Sequence, residues 1–175
     1  QEWYDTWAWA FDTGMRHEGE LDSFTIDNVD FGRKTITFWR PKTKAWSIEM
    51  PLTQRCLEIL ARRRKIASAR KDRKVFPSSA SSRRSNWQKH IAKCNFNKHF
   101  TPYTTRHTFI TRLAEAEVSP KVVMEMAGHT CIETTMTYYT KSSSLLLNKA
   151  ILALQNNRET GKIKPVKAIH DNNDS

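Results

Sequence analysis

The sequence is poor in cysteine and has no long apolar run. Its three cysteines, Cys56, Cys94 and Cys131, are odd in number and widely scattered. This pattern argues against a disulfide framework and favours a reducing compartment. No apolar run approaches the ~20 residues that a membrane-spanning helix requires, so we expect no membrane partner.

The sequence also lacks the common motifs of nucleotide and metal chemistry. It has no glycine-rich loop followed by Lys and Ser or Thr for holding phosphates, and no paired acidic cluster that could hold two metal ions. His90, Cys94 and His99 only loosely suggest a zinc site, because a fourth ligand is missing and the spacing is irregular. The sequence thus shows no sign of a metal or cofactor site.

What the chain has in excess is positive charge. Its 175 residues carry a formal net charge of +11 with a pI near 9.8, which favours a polyanionic partner; a generally basic, soluble surface is the alternative. Hydrophobic residues make up 38%, enough for one domain with a real core. The chain opens on Gln1, without an initiator methionine or a signal peptide, so we expect it to be a piece of a longer protein.

Hydrophobic periodicity predicts an α+β domain that is mainly helical. Short alternating runs at 24–26, 35–39 and 46–50 predict a small antiparallel sheet of three strands, with turns at 30–33 and 41–44. Helices are predicted over 2–12, 17–22, 53–69, 86–95, 104–116, 120–127, 131–139 and 144–156. The Ser/Arg-rich stretch 78–84 is predicted to be a loop, and the residues beyond 157 a mobile tail.

The most informative residues lie in the second half of the chain. Arg106-His107 is followed by Gly128-His129, and Tyr138 comes nine residues after that histidine. An arginine fork binds phosphate bidentately, and a tyrosine oxygen can act as a covalent nucleophile. Phosphoryl chemistry on a phosphodiester needs both capabilities. The order and spacing resemble the C-terminal catalytic half of the tyrosine recombinases, the phage-integrase family.

The resemblance implies a fold, a reaction and partners. The fold is the helical catalytic domain of these recombinases over 1–157, with a flexible tail at 158–175. A tyrosine attacks a DNA phosphodiester to form a 3′-phosphotyrosyl link, and the 5′-hydroxyl of another strand then attacks that link, without metal or ATP. The implied partners are double-stranded DNA, further copies of the chain in a DNA-bound tetramer (the isolated domain being monomeric as the alternative), and accessory DNA-bending or directionality proteins. The implied location is the cytoplasm, at the nucleoid or in the host cell of a phage.

The resemblance also assigns the two arginines. Arg16, in a Thr-Gly-Met-Arg motif, matches the first catalytic arginine. The family's glutamate three residues later is replaced by Gly19, and Glu20 comes one residue late. Arg106 matches the second arginine, but Tyr103 stands where the family has histidine. A phenol can donate a hydrogen bond to a phosphate oxygen, whereas it cannot carry positive charge or act as a base near neutral pH as imidazole can.

A lysine is expected in the hairpin turn Pro-Lys-Thr-Lys, where the family carries its general acid. Lys42 fits this position best and would protonate the leaving 5′ oxygen. Lys44 is the competitor, because the hairpin differs in length by one residue from the usual spacing.

The remaining implied site residues follow the second arginine. His129 would face the phosphate, and Tyr138 would be the nucleophile. Tyr139 is the alternative nucleophile, although on a helix it would point about 100° away from its neighbour. His107 is interpreted as a buried structural partner rather than a catalyst.

Basic runs supply candidates for contacts with the DNA backbone. Such contacts give salt-sensitive affinity and little sequence information. The candidates are Arg62, Arg63, Lys71, Arg73, Arg83 and Arg84. Some of the basic residues in these runs are expected to be solvated only.

Two other functions stay open at this point. A type IB topoisomerase shares the chemistry and much of the fold, but it relaxes supercoils without a second site. The other is a recombinase-like module that binds DNA without cleaving it, which Tyr103 and the shifted Glu20 keep open. The helix around Leu145–Leu154 is expected to dock on this domain's own core, or on a neighbouring subunit.

Overall fold

A computed structural model describes residues 1–96, 99–141, 151–152 and 154–155. The chain divides into a compact unit, Gln1–Tyr139, and a second unit, Thr140–Ser175. The predicted docking of Leu145–Leu154 and the predicted tail at 158–175 fall largely or wholly outside the described residues, as does most of the predicted helix over 144–156. None of the described helices is long and apolar enough to cross a bilayer.

The compact unit is mainly helical. Its helices are α1 (Glu2–Thr13), α2 (Glu20–Ser23), α3 (Gln54–Arg70), α4 (Ala80–Ala92), α5 (Thr104–Glu115), α6 (Pro120–Ala127) and α7 (Ile132–Lys141, which extends two residues beyond this unit). Its strands are β1 (Val29–Asp30), β2 (Thr35–Ile36), β3 (Trp39–Arg40), β4 (Ala45–Trp46) and β5 (Met50–Pro51). The mainly helical α+β prediction is confirmed.

The sheet has three antiparallel strands, as predicted, but its first strand lies at a different position from the one predicted. Its order is β1-β2-β5. The strand predicted at 24–26 is wrong, because Phe24 is fully buried in the helical core and Ile26–Asn28 forms a 3-10 turn. The Asn28 side chain closes this turn by accepting a hydrogen bond from the Thr25 N–H at 2.8 Å. Val29–Asp30 takes the place of the first strand.

The two longer predicted strands are each broken in the middle. The Phe38 N–H donates to Ser47 Oγ at 2.9 Å, and the Ser47 N–H donates to the Phe38 carbonyl at 2.8 Å. Because a side-chain oxygen replaces one backbone acceptor, the ladder is interrupted there, and β3 and β4 form a separate hairpin. The turn at the tip of this hairpin carries Lys42.

Helix α4 begins earlier than the sequence suggests. The serine-rich stretch was expected to be a loop up to residue 84, yet Ser79 caps the helix by accepting a hydrogen bond from the Ser82 N–H at 3.2 Å. A serine side chain stabilises a helix N-terminus in this way. The loop prediction for 78–84 is therefore wrong over most of its length.

The hydrophobic core lies where α1 packs against α3 and α5. Trp9 is fully buried, with its ring centroid 5.2 Å from that of Phe24 and 5.6 Å from that of Phe76. Helix α1 ends at Gly14, which has a left-handed φ of 65°. A Cβ at this position would lie 2.9 Å from Phe109 Cε1, so a larger residue would push α5 away. The turn after α1 is thereby held directly against α5.

Candidate active site

Two arginines from distant parts of the chain meet on one carboxylate. The Arg16 guanidinium forms an ion pair with Glu20, and the Arg16 backbone N–H donates to Glu20 Oε2 at 2.7 Å. Arg106 Nη1 donates to the Gly14 carbonyl at 2.8 Å and lies 3.9 Å from Glu20 Oε2. Glu20 and Arg106 are both about 1% exposed. The structure thus brings Arg16 and Arg106 together, as their assignment to one phosphate requires.

The glutamate reaches the arginines even though it comes one residue late in the sequence. The extra residue lies in the turn before α2, where Gly19 has a φ of 76°. A Cβ on Gly19 would lie 3.2 Å from Pro41 Cγ in the hairpin turn. The turn therefore absorbs the additional residue at a position that favours glycine.

A third arginine belongs to the same cluster and was not anticipated. Arg40 is 2% exposed, and its Nη2 donates to the Met126 carbonyl at 2.6 Å. Burial lowers its pKa to about 10, with the Glu20 carboxylate opposing this and the charges of Arg106 and Arg16 adding to it. Its Nε and Nη1 have no hydrogen-bond partner among the described residues.

The sequence did contain a signal for the burial of Arg40. Ile36, Phe38 and Arg40 alternate with exposed or half-buried neighbours, and all three are buried. This spacing of two is that of side chains on one face of a strand. A charged residue at an inward position is unusual unless it has partners, so the alternating pattern alone does not single out Arg40.

Gly128 makes room for the Arg40 guanidinium at the end of α6. It has a left-handed φ of 61°, and its N–H caps the helix on the Glu125 carbonyl at 3.1 Å. A Cβ added at this glycine would lie 2.6 Å from Arg40 Cζ. Both the backbone conformation and the close approach therefore require glycine.

We expect Gly128→Ala to destabilise the protein strongly. The left-handed conformation costs about 1–2 kcal/mol in a residue with a Cβ, and crowding the buried guanidinium adds about 1–3 kcal/mol. Gly32→Ala is a matched control, because Gly32 lies in an exposed turn and its Cβ would meet only Asp30 Oδ1 at 3.4 Å. Urea unfolding should separate the two variants, and equal midpoints would contradict this description of Gly128.

His129 directly follows this glycine and is electrically neutral at neutral pH. Its Nδ1 lies 2.9 Å from the hydroxyl of the fully buried Thr135. Burial, together with the charges of Arg106, Arg16 and Arg40, lowers the pKa of His129 to about 4. This histidine can therefore offer a hydrogen bond to an anion, but it contributes no positive charge.

Tyr138 brings its hydroxyl to the rim of this cluster. Its Oη lies 2.6 Å from His107 Nδ1, and its ring is nearly parallel to that of His129 at a centroid distance of 6.4 Å. Burial raises the pKa of Tyr138, as does the nearby Tyr103, while the Arg106 charge lowers it. The interpretation of His107 as a buried structural partner is wrong, because this side chain is exposed and contacts the phenol.

The adjacent residues Tyr138 and Tyr139 direct their hydroxyls to different partners. Tyr139 donates its hydroxyl proton to the Val118 carbonyl and packs against the hydrophobic core. Tyr103 is 41% exposed, and its ring meets the His107 ring edge-on at a centroid distance of 4.8 Å. Both candidate nucleophiles pack against the core, but the Tyr138 hydroxyl meets His107, whereas the Tyr139 hydroxyl is engaged with the Val118 carbonyl.

The two candidate lysines lie at the exposed tip of the β3–β4 hairpin. Lys44 has a left-handed φ of 49°. Among the described residues, neither lysine forms a hydrogen bond or an ion pair with the arginine cluster. Lys42 is nevertheless only two residues from the buried Arg40, so the hairpin places its tip beside the cluster.

A family model described as the phage integrase family matches residues 5–144. The chain belongs to the phage integrase family. It is 25% identical over 170 residues to the transposase of transposon Tn916 from Enterococcus faecalis, a match that covers 78% of this chain and 41% of the relative. It is 36% identical over 77 residues to a tyrosine recombinase from Agathobacter rectalis, covering 42% and 25% of the two chains. This integrase-family chain thus spans about two fifths of the length of the first relative.

Solved structures of the family share the fold. The XerA recombinase aligns with a TM-score of 0.67 at 22% identity, over 82% of this chain and 55% of that one. The catalytic domain of bacteriophage HP1 integrase aligns with a TM-score of 0.60 at 22% identity, over 83% and 79%. The predicted fold, a helical tyrosine-recombinase catalytic domain with a small antiparallel sheet, is confirmed.

Two of the arginines predicted to contact DNA lie inside this integrase-family domain. Arg83 is fully buried, donates to the His17 carbonyl at 2.8 Å and pairs with Asp22. Arg63 is 2% exposed and lies 3.7 Å from the buried carboxylate of Asp5. The prediction that these two side chains contact DNA phosphates is therefore wrong, because their guanidiniums hold helices together in the interior.

The other basic candidates lie nearer the surface. Arg62 pairs with Asp5 at 2.9 Å, Arg73 with Asp27, and Arg84 with Glu18. Lys71 is exposed at the end of α3 with a left-handed φ of 54°. Within the part of the chain that the structure describes, no group of three or more His, Cys, Asp or Glu side chains could hold a metal ion.

Proposed function

We propose that this chain contains the catalytic domain of a site-specific DNA recombinase, over residues 1–157 with a tail at 158–175. It would cleave and rejoin DNA through a 3′-phosphotyrosyl intermediate. The observation that carries the proposal is the convergence of Arg16 and Arg106 on Glu20, with the Tyr138 ring 6.4 Å from the His129 ring and the Tyr138 hydroxyl against His107, the residue that follows Arg106.

The arginines would bind the phosphate that is cleaved. Arg106 Nε and Nη2 have no partner with hydrogen-bond geometry among the described residues, although the side chain is buried, which lowers its pKa, and the Tyr103 phenol is near enough to oppose this shift. Buried donors of this kind cost free energy unless an acceptor arrives, and phosphate oxygens are suitable acceptors. Negative charge builds on these oxygens in the pentacoordinate transition state, so each preorganised guanidinium would stabilise that state by about 3 kcal/mol.

The remaining groups would divide the chemistry. Tyr138 would attack phosphorus, while Lys42 would protonate the 5′ oxygen that leaves. Neutral His129 and the phenol of Tyr103 would each donate a hydrogen bond to a non-bridging oxygen. The 5′-hydroxyl of another strand would then attack the phosphotyrosyl link. Since the ester retains the bond energy, the cycle needs neither a metal nor a nucleotide.

The partners we propose are double-stranded DNA and further copies of the chain. The net charge of +11 favours a polyanion, and Arg62, Lys71, Arg73 and Arg84 are the surface candidates for phosphate contacts. Structures of related proteins include a Tn1549 transposon integrase in complex with a circular intermediate DNA and a lambda integrase dimer bound to a core site. These complexes support DNA binding by more than one copy of the chain. We propose that the assembly on DNA is a tetramer in the cytoplasm, aided by accessory DNA-bending or directionality proteins.

Covalent trapping tests the proposal. The chain is incubated with a pool of nicked DNA duplexes of randomised sequence, in which the short strand beyond the cleaved phosphate diffuses away and the intermediate accumulates. We expect an adduct that survives detergent, with the DNA attached through a 3′-phosphate to the peptide that contains Tyr138. DNA binding in a mobility-shift assay without any adduct would instead identify a non-cleaving module.

A second assay separates recombination from topoisomerase activity. A closed, supercoiled plasmid carries one copy of a site selected by trapping, and a second plasmid carries two copies. We expect exchange between the two copies and little relaxation of the one-site plasmid. Rapid relaxation of the one-site plasmid without exchange in the other would favour the type IB topoisomerase reading.

A further inference from the structure

The exposed histidine of α5, His107, contacts the phenol of Tyr138 directly. His107 Nδ1 lies 2.6 Å from Tyr138 Oη. A general base must lie about 2.6–3.2 Å from the proton-bearing atom that it serves, so this separation is already suitable. The two rings are 5.6 Å apart and inclined by 36°.

The helices position this pair beside the arginine cluster. Arg106 and His107 are consecutive on α5, so their side chains leave the helix about 100° apart. Arg106 is buried and points toward Glu20, whereas His107 is exposed and meets α7. A phosphate held by Arg106 would therefore lie next to the phenol that His107 contacts.

The other nearby groups are poor acceptors for a phenol proton. Tyr103 is itself a phenol, with a hydroxyl proton of its own to donate. His129 Nδ1 is engaged with Thr135 at 2.9 Å, and its pKa of about 4 makes it a weak base. Glu20 is occupied by Arg16. Among the groups considered, His107 is the one whose nitrogen lies at the phenol and can accept its proton.

We propose that His107 is a catalytic residue, the general base that deprotonates Tyr138 during DNA cleavage. This inference rests on the proposed function. In the tautomer protonated at Nε2, Nδ1 accepts the phenol proton as the Tyr138 Oη–P bond forms and the P–O5′ bond breaks. The leaving oxygen takes its proton from the general acid. On rejoining, the imidazolium returns its proton to the phenolate that is expelled.

The substitutions His107→Ala and His107→Asn test this role on a nicked duplex that the native chain cleaves. Loss of a general base reduces the rate by about 10²–10⁴-fold, and we expect that reduction in adduct formation for both variants. Asparagine keeps a hydrogen-bonding group near the position of Nδ1 but cannot accept the proton. His90→Asn is the matched control, because His90 is an exposed histidine on α4 whose Nδ1 contacts only the Asn86 carbonyl among the described residues.

Chemical rescue adds a result that a structural role would not give. We expect free imidazole to restore part of the adduct rate in His107→Ala and to leave His107→Asn and the native chain unchanged. DNA affinity, measured by mobility shift, should be the same in all variants. A native rate in His107→Asn would overturn the inference, because it would show that a hydrogen bond suffices.

The same assay distinguishes this inference from the proposed function. If the native chain forms an adduct and His107→Ala forms it equally fast, only the assignment of the base is overturned. If the native chain forms no adduct on any duplex of the pool, the proposed function fails, and the inference fails with it.

Discussion

Tyr138→Phe is expected to abolish covalent capture of DNA while leaving DNA affinity nearly unchanged. Only the hydroxyl is removed, so the ring can still lie parallel to the His129 ring. Removal of a covalent nucleophile lowers turnover by as much as ~10⁶-fold in well-studied hydrolases, which would place this variant below detection. The measurement is the detergent-resistant adduct on a nicked duplex, with a mobility shift to report binding.

Tyr139→Phe is the matched control for this prediction. It removes the hydrogen bond from Tyr139 to the Val118 carbonyl, which should cost about 1 kcal/mol of stability. The adduct should still form at close to the native rate. An adduct that persists in Tyr138→Phe and disappears in Tyr139→Phe would move the nucleophile to the neighbouring residue.

Glu20→Gln is expected to destabilise the folded domain by about 3–5 kcal/mol, the usual cost of removing one partner of a buried ion pair. Arg106 would keep its buried charge and lose its carboxylate neighbour, and Arg40 is close enough to be affected. Denaturant unfolding gives the change directly. Glu58→Gln is the matched control, because Glu58 is exposed on α3 and, among the described residues, its side chain accepts a hydrogen bond only from the Gln54 amide, at 3.4 Å.

An added anion should reverse part of this loss. If the arginines form a phosphate site, inorganic phosphate or sulfate can take the place of the missing carboxylate and stabilise the variant by mass action. The unfolding midpoint of Glu20→Gln should therefore rise more steeply with phosphate than that of the native chain. Equal midpoints for the Glu20 and Glu58 variants, or no difference in their response to phosphate, would contradict the shared anion site.

The features that sequence could predict are those set by local chemistry. Helices α1 and α6 end at Gly14 and Gly128 because both glycines have left-handed φ values, and α6 begins at Pro120, which is well suited to the first turn. The order of Arg106, His129 and Tyr138 was sufficient to recognise the family. Their roles stay predictions until the assays above are done.

The features that sequence missed depend on tertiary partners. From sequence alone, an arginine is expected at the surface unless its hydrogen-bond acceptors are known. The acceptors of Arg83 are the carbonyls of His17, in the turn before α2, and of Ser78, just before α4. Arg40 and the contact between His107 and Tyr138 likewise join elements far apart in the chain. Phenylalanine is common in β-strands, which favours a strand at Phe24. In the structure, however, Phe24 packs against Trp9 in the helical core.

The hydrogen bond from Arg40 to the Met126 carbonyl has a mechanical consequence. It ties the strand that leads to Lys42 to the last turn of the helix that leads to His129. A displacement of the hairpin tip, for example by a neighbouring subunit, would thus be transmitted to the histidine. If Lys42 and His129 have the roles proposed for them, the two side chains would then approach or leave the DNA together, rather than as two independent loops.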